Sequence, residues 1–307
     1  MSLLSLVAAL LLEQWRPLAD RRHLYSLLAR YAAFLEGLFD AGESRQGATA
    51  WAIAVLPAAL CAWVLYRLAY DASPLVALLL NVAALYLTMG FRQRSHFFTD
   101  IHLALKKDDI ASAREILSAW RQESCAELDR EAVARLAIEE ALISSHRYVF
   151  GVIFWFVLLP GPVGAILYRL SMFLDGRWGK NSSAGPERFG NFARRAFAVL
   201  DWLPSRFTAG AFAVVGNFED AVYCWRTQAA TWPDHTLGVV LSSGAGAIGV
   251  KLGMPVVLEG RLVDRPGLGL GDPADISHLD STVGLVWRAL VIWLLLLLLV
   301  ALAGASG

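Results

Sequence analysis

The stretch "GLVWRALVIWLLLLLLVALAG", Gly284 to Gly304, constrains this chain more than any other. It carries one charge, Arg288 near its start, and contains six consecutive leucines. About 20 mostly apolar residues are enough to cross the roughly 30 Å of hydrocarbon in a bilayer. The run shows no polar stripe at helical spacing, so it is read as a transmembrane helix. Composition agrees. Of 307 residues 57% are hydrophobic and only 18% charged, with a mean hydropathy of +0.50, where soluble domains carry about a quarter charged residues.

The remaining apolar runs extend the reading. "ATAWAIAVLPAALCAWVLYRLAY" (48–70) is long enough to cross, with Pro57 as an expected kink. Asp71 to Pro74 form a turn, and "LVALLLNVAALYLTMGF" (75–91) is expected to return across the bilayer. "YVFGVIFWFVLLPGPVGAILYRLSMFL" (148–174) is broken by Pro160-Gly161-Pro162 into halves too short to span alone. It reads as a kinked span or a re-entrant pair, since broken helices in lipid need protein or water to satisfy the freed backbone. The N-terminal "MSLLSLVAALLLEQWRPL" lacks the basic region of a signal peptide. Its twelve apolar residues reach only about 18 Å, which suits an interfacial or partly inserted helix.

Between these lie the polar parts. Residues 14–47 place Leu24, Leu27, Leu28, Tyr31 and Leu35 at helical spacings. In "DDIASAREILSAW" the aspartates suit a helix N-cap and Ile110, Ala113, Ile116, Leu117 and Trp120 an apolar face. "LDREAVARLAIEEALISSH" reads as a second amphipathic helix, with Glu139 and Glu140 on a solvated face. The fold class is therefore all-α: a polytopic membrane helical bundle. Its parts are an interfacial segment 1–47, a transmembrane hairpin 48–91, a cytoplasmic helical hairpin 92–147 and a membrane-embedded region 148–307. Basic residues in 14–47 and 92–147 put both on the cytoplasmic side of a bacterial inner membrane.

Several function classes are excluded at this level. With 27 acidic and 27 basic residues, nothing points to nucleic acid as a partner. Cys61, Cys125 and Cys224 are far apart and are read as small buried side chains. The six histidines form no metal-ligand pattern, so no metal site is expected, and HExxH, GxSxG and P-loop motifs are absent. "LEGRLVDRPGLGLGDPADI" (258–276) has closely spaced glycines but no P-loop lysine. It reads as a flexible connector before the last helix, while Glu259, Arg261, Asp264, Arg265 and Asp272 also suit the lining of a polar ligand site. Asp201 and Arg206 stand in an apolar setting, where ionisable groups face a cavity or a partner. They also lie close enough to pair locally across Pro204.

Three stretches carry a family resemblance: "LKKDDIASAREILSAW", "AGAIGVKLG" and "EGRLVDRPGLGLGDPADIS" leading into an apolar helix. Together they resemble the CobD/CbiB family of cobalamin-biosynthesis membrane proteins. The family's E-T-x-A-E-N motif falls on "EEALIS", where Glu139 matches, and its N-T-L-D-S-M stretch on "MFLDGR", where Leu174 and Asp175 match. The resemblance implies ATP-dependent ligation of aminopropanol phosphate to adenosylcobyric acid by an adenosylcobinamide-phosphate synthase, with Mg2+ and ATP as cofactors and a corrinoid as substrate. It makes Glu139, Asp175 and Asp272 the catalytic candidates. Glu259, Asp264 and Arg265, with Asp201 and Arg206, become the substrate-binding ones. A second likeness, in "LLLEQWRPL", "HRYVFGVIFWF" and "AVLDWLPSRFTAGAFAVVGN", is to AmpE, inner-membrane proteins associated with β-lactamase induction. It implies a non-enzymatic role in envelope or β-lactamase-related signalling.

Overall fold

The computed structural model describes residues 2–15, 22–39, 44–179 and 189–306. The fold is all-α, with thirteen α-helices and two short β-ladders among the described residues. Three helical runs are long and apolar enough to cross a membrane: Arg45–Ala72, Arg130–Leu158 and Ile276–Ala303. The 28 residues of the first and last correspond to about 42 Å at 1.5 Å per residue, more than the hydrocarbon requires. Both leave large apolar side chains exposed, such as Leu60 and Leu68 on the first and Leu299 and Val300 on the last. Contiguous apolar surface of this kind is what acyl chains cover.

The chain divides into two compact units, one of residues 1–90 and 151–203, the other of 91–150 and 204–307.

In the first unit, α1 (Ser2–Trp15) packs on α4 (Pro74–Thr88), and α3 (Ser44–Ala72) packs on α4 and α9 (Val163–Leu174). The α3–α4 turn is made by Ser73, whose hydroxyl accepts from Leu75 N (3.2 Å), followed by Pro74 at the first helical position. At 15 residues α4 reaches about 22 Å, shorter than the expected return span. Helix α2 (Arg22–Phe39) forms where the leucine spacing predicts it. It buries Ala32 and Leu35 against Val55, Leu174 and Trp178, while Leu27 and Tyr31 remain exposed. The Pro-Gly-Pro break separates α8 (Gly151–Leu158) from α9, and the two helices pack on each other. A side chain at Gly164 would meet the Trp155 carbonyl oxygen at 1.8 Å, so glycine permits that contact. The first, Gly190–Leu203 part of α10 (Gly190–Val215) is tied to α8 by Trp155 Nε1 donating to Leu200 O (3.1 Å). Cys61 is exposed here, contrary to the buried reading, because it sits on the outward face of α3.

In the second unit, α5 (Phe91–Lys106), α6 (Ile110–Arg121) and α7 (Arg130–Ser145) pack together, with α7 also against α12 (His235–Ile248) and α13 (Ile276–Ser306). The expected aspartate cap is Asp109, accepting from Ser112 N at 3.0 Å, and Asp129 caps α7 through Ala132 N at 2.8 Å. Helix α7 is not a surface helix. Val133, Leu136, Ala137, Ile138 and Glu139 are all buried, because neighbours cover it on several sides. The small residues of α12 allow close approach to α11 (Phe218–Gln228): a Cβ on Gly246 would lie 2.5 Å from Asp220 O. Cys125 and Cys224 are buried as expected.

Candidate functional site

The segment between α12 and α13 organises the site. It is not a flexible connector. Two antiparallel ladders order it: β1 (Leu252–Gly253) with β4 (Gly267–Leu268), and β2 (Val256–Leu258) with β3 (Arg261–Val263). Lys251 N donates to Asp272 O (2.9 Å) and Asp272 N to Gly249 O (3.2 Å), closing the base of this strap. The glycines serve the backbone. Gly269 and Gly271 adopt φ of +85° and +108°, and a Cβ on either would lie 2.1 Å from the carbonyl oxygen of Val250 or Gly249. The site is thus crowded by carbonyls, the opposite of a phosphate cradle lined with N–H groups.

One ion pair fastens the strap to α7. Arg265 Nη1 donates to Glu139 Oε2 (2.8 Å) and Nη2 to Oε1 (3.2 Å), a bidentate fork. Glu139 Oε1 also accepts from Gly253 N at 2.9 Å. The second edge of Arg265 is used as well: Nη2 donates to Gly253 O (2.8 Å) and Nε to Met254 O (3.3 Å). Its guanidinium carbon lies 5.6 Å from the Trp232 ring centroid, within cation–π range. The Glu139 side chain is 2% exposed and that of Arg265 13%. A pair so desolvated is held by this multiplicity of hydrogen bonds, since Coulomb attraction alone barely offsets the loss of hydration.

Glu140, next in sequence, is also not on a solvated face. Its carboxylate accepts from Arg121 Nη1 at 3.0 Å, and its side chain is 20% exposed. Arg121 Nη2 reaches Glu123 at 3.1 Å, and Arg147 pairs with Asp234 at 3.3 Å. Arg94 donates to the Tyr148 hydroxyl, its guanidinium carbon 3.9 Å from the centroid of that ring.

Of the sequence candidates, the structure joins Glu139 and Arg265. Glu259 and Asp264 lie exposed on the β2–β3 hairpin, Glu259 at its turn with φ +52°, and Asp272 lies exposed at the base of the strap. Asp175 and Asp201 belong to the first unit. Asp175 opens a π-helical turn (Asp175–Gly179), and Asp201, fully buried, accepts from the Tyr168 hydroxyl at 2.7 Å. Arg206 is partly buried in the second unit. Gln228, Trp232, Arg121 and Arg94 carry no local pattern that marks them in the sequence. Arg94 and Tyr148, 54 residues apart, meet only through packing.

Among the described residues no three His, Cys, Asp or Glu side chains gather as a metal cage. Magnesium is commonly held by one or two carboxylates and the phosphates of a nucleotide. Magnesium would therefore arrive with the phosphates of the nucleotide.

The CobD/Cbib protein family profile matches residues 6–286. The chain is 37% identical over 299 residues to "Cobalamin biosynthesis protein CobD" of Stutzerimonas stutzeri (strain A1501), covering 96% of each protein. It is 36% identical over 313 residues to the protein of the same name from Chromobacterium violaceum, covering 98% of this chain and 97% of that one. Likeness to "Cobalamin biosynthesis protein CbiB" of Salmonella typhimurium is 26% over 274 residues. No solved structure matches. These relatives are all named for cobalamin biosynthesis, so the AmpE-like alternative gains no support from them. With its profile matched over nearly the whole length, the chain belongs to the CobD/CbiB family of cobalamin-biosynthesis proteins.

Proposed function

We propose that this chain is a multi-pass protein of the bacterial inner membrane that ligates aminopropanol phosphate to adenosylcobyric acid. In that reaction ATP activates a corrinoid carboxyl group, and the amine displaces the activating group to leave an amide. The observation that carries the reading is the Glu139–Arg265 pair. It joins Glu139, the position of "EEALIS" on α7 that matches the family's motif, to the strap 259–277, one of the stretches on which the family resemblance rests.

The geometry refines the roles. Both oxygens of Glu139 are occupied by donors and the side chain is 2% exposed, so it positions the strap and takes no proton from substrate. Arg265 shares that positioning role. The exposed carboxylates of Glu259, Asp264 and Asp272 are left to meet the amide-rich corrinoid and the incoming amine. Arg206, in the same unit, stays with the proposal as a further substrate contact, while Asp201 is fully buried against the Tyr168 hydroxyl.

The test is turnover by the detergent-purified full chain with adenosylcobyric acid, aminopropanol phosphate and Mg-ATP, read by mass spectrometry. Product is expected, with Asp272→Asn reducing it at least about tenfold, the usual scale for losing one charged contact. Absence of product from folded, monodisperse protein would remove the ligase reading.

A further inference from the structure

Three arginines of the second unit bear on Glu140. Arg121 contacts it directly, and Arg94 and Arg147 lie within its electrostatic reach. They come from different elements: Arg94 from α5, Arg121 from the end of α6, and Arg147 from the π-helical turn His146–Phe150 after α7. The neighbouring Glu139 is already neutralised by Arg265. Two further carboxylates on these arginines sit outward. Glu123 on Arg121 is 49% exposed and Asp234 on Arg147 is 42% exposed. Water and salt screen such outer charges well, and inner ones poorly.

Two details show that Arg94 and Arg121 are held ready and incompletely used. The partner shown for Arg94 is the uncharged hydroxyl and ring of Tyr148. The Nε–H of Arg121 is buried and has no acceptor among the described residues. A buried donor without a partner is costly and is normally met by water or a ligand. Guanidinium forks match the oxygens of a phosphate in pairs, and a fixed guanidinium loses little freedom on binding one.

We propose that Arg94, Arg121 and Arg147, with the Tyr148 hydroxyl, receive the terminal phosphate of a phosphomonoester. Glu140 holds Arg121 in place. When the phosphate binds, Arg94 gains the anionic partner it lacks, and the Arg121 Nε–H gains an acceptor. This deepens the ligase reading, since one substrate named there carries such a group, but its geometry stands without that reaction. The same chemistry is offered by a small soluble phosphomonoester and by a phosphatidic acid headgroup.

The experiment titrates the full chain in a neutral maltoside detergent with phosphoethanolamine, against sodium chloride at equal ionic strength, following 31P line broadening and the fluorescence of Trp120 beside Arg121. A parallel arm measures binding to nanodiscs of phosphatidylcholine with and without phosphatidic acid. Saturable phosphoethanolamine binding is expected, weakened about tenfold or more by Arg94→Gln and by Arg147→Gln. Arg226→Gln, on the exposed face of α11, should leave it unchanged. Arg94→Gln is the decisive variant because it breaks no ion pair shown in the structure, and its thermal unfolding curve confirms folding. Binding confined to phosphatidic acid nanodiscs, and lost with the same variants, assigns the site to lipid. Binding in neither arm, or binding indifferent to Arg94 and Arg147, overturns the proposal. Phosphate binding without ligase turnover would remove the reaction and keep the site. Turnover unchanged in Arg94→Gln, together with unchanged phosphate binding, would do the reverse.

Discussion

Gln228, at the end of α11, and Gly269, in the strap, exchange hydrogen bonds in both directions. Gly269 N donates to Gln228 Oε1 at 2.6 Å, and Gln228 Nε2 donates to Gly269 O at 3.4 Å. One side-chain amide thus completes the backbone of a residue 41 positions away, as a neighbouring strand would do. With the Glu139–Arg265 fork it forms the second of two clamps on the strap.

The clamp sets an order of effects. Gly269→Ala forces a side chain into a positive-φ position and against Val250 O, and should cost about 3 kcal/mol or more. Gln228→Ala removes hydrogen bonds without a clash and should cost about 1–2 kcal/mol. Thermal unfolding in detergent should rank them in that sequence. Equal midpoints would mean that the strap does not depend on this backbone geometry.

The buried fork calls for a double-mutant cycle. Glu139→Gln and Arg265→Met singly should each cost about 3–5 kcal/mol, because each leaves a charge buried without its partner. The double variant should cost much less than their sum. Arg265→Lys should rescue poorly, since an ammonium cannot reproduce the fork on both carboxylate oxygens. Additive losses in unfolding midpoint would show that the two residues act independently.

Asp275 supplies a pH dependence. Its carboxylate accepts from Ser277 Oγ (2.7 Å) and from His278 N (3.1 Å), at the start of α13. The Ser277 hydrogen bond, then those of His278, hold its pKa down at about 2. A lowered folded-state value means that stability is present above the ordinary carboxylate pKa near 4 and is lost as pH falls through about 2. Asp275→Ala should therefore cost about 1 kcal/mol at pH 7, as for a lost cap, and progressively less below pH 4. Comparing the unfolding midpoints of the two proteins across that range checks the sign.

Burial pushes the Cys224 thiol up to about 11, with Asp220 adding to the effect. At pH 7.5 the reactive thiolate is then a fraction of about 0.03%. Cys224 should resist N-ethylmaleimide in the folded protein. Its labelling rate should rise about tenfold per pH unit between 7 and 9, as mapped by peptide mass spectrometry. Fast, pH-independent labelling would show that α11 opens readily.

Local patterns were enough for much of the architecture. The leucine run 294–299, the Pro-Gly-Pro break, the turn at Asp71–Pro74 and the cap at Asp109 act through neighbours a few residues away, so spacing alone identifies these features. The same logic failed for α7. The adjacent acidic residues Glu139 and Glu140 look like a solvated face until distant segments cover them. Glu139 and Arg265 are 126 positions apart, and a pairing over that distance leaves no periodicity to read. The chain by itself determined which segments are helical and apolar. Only the tertiary structure decided which charges meet, because removal from water depends on what packs against a residue rather than on its neighbours in sequence.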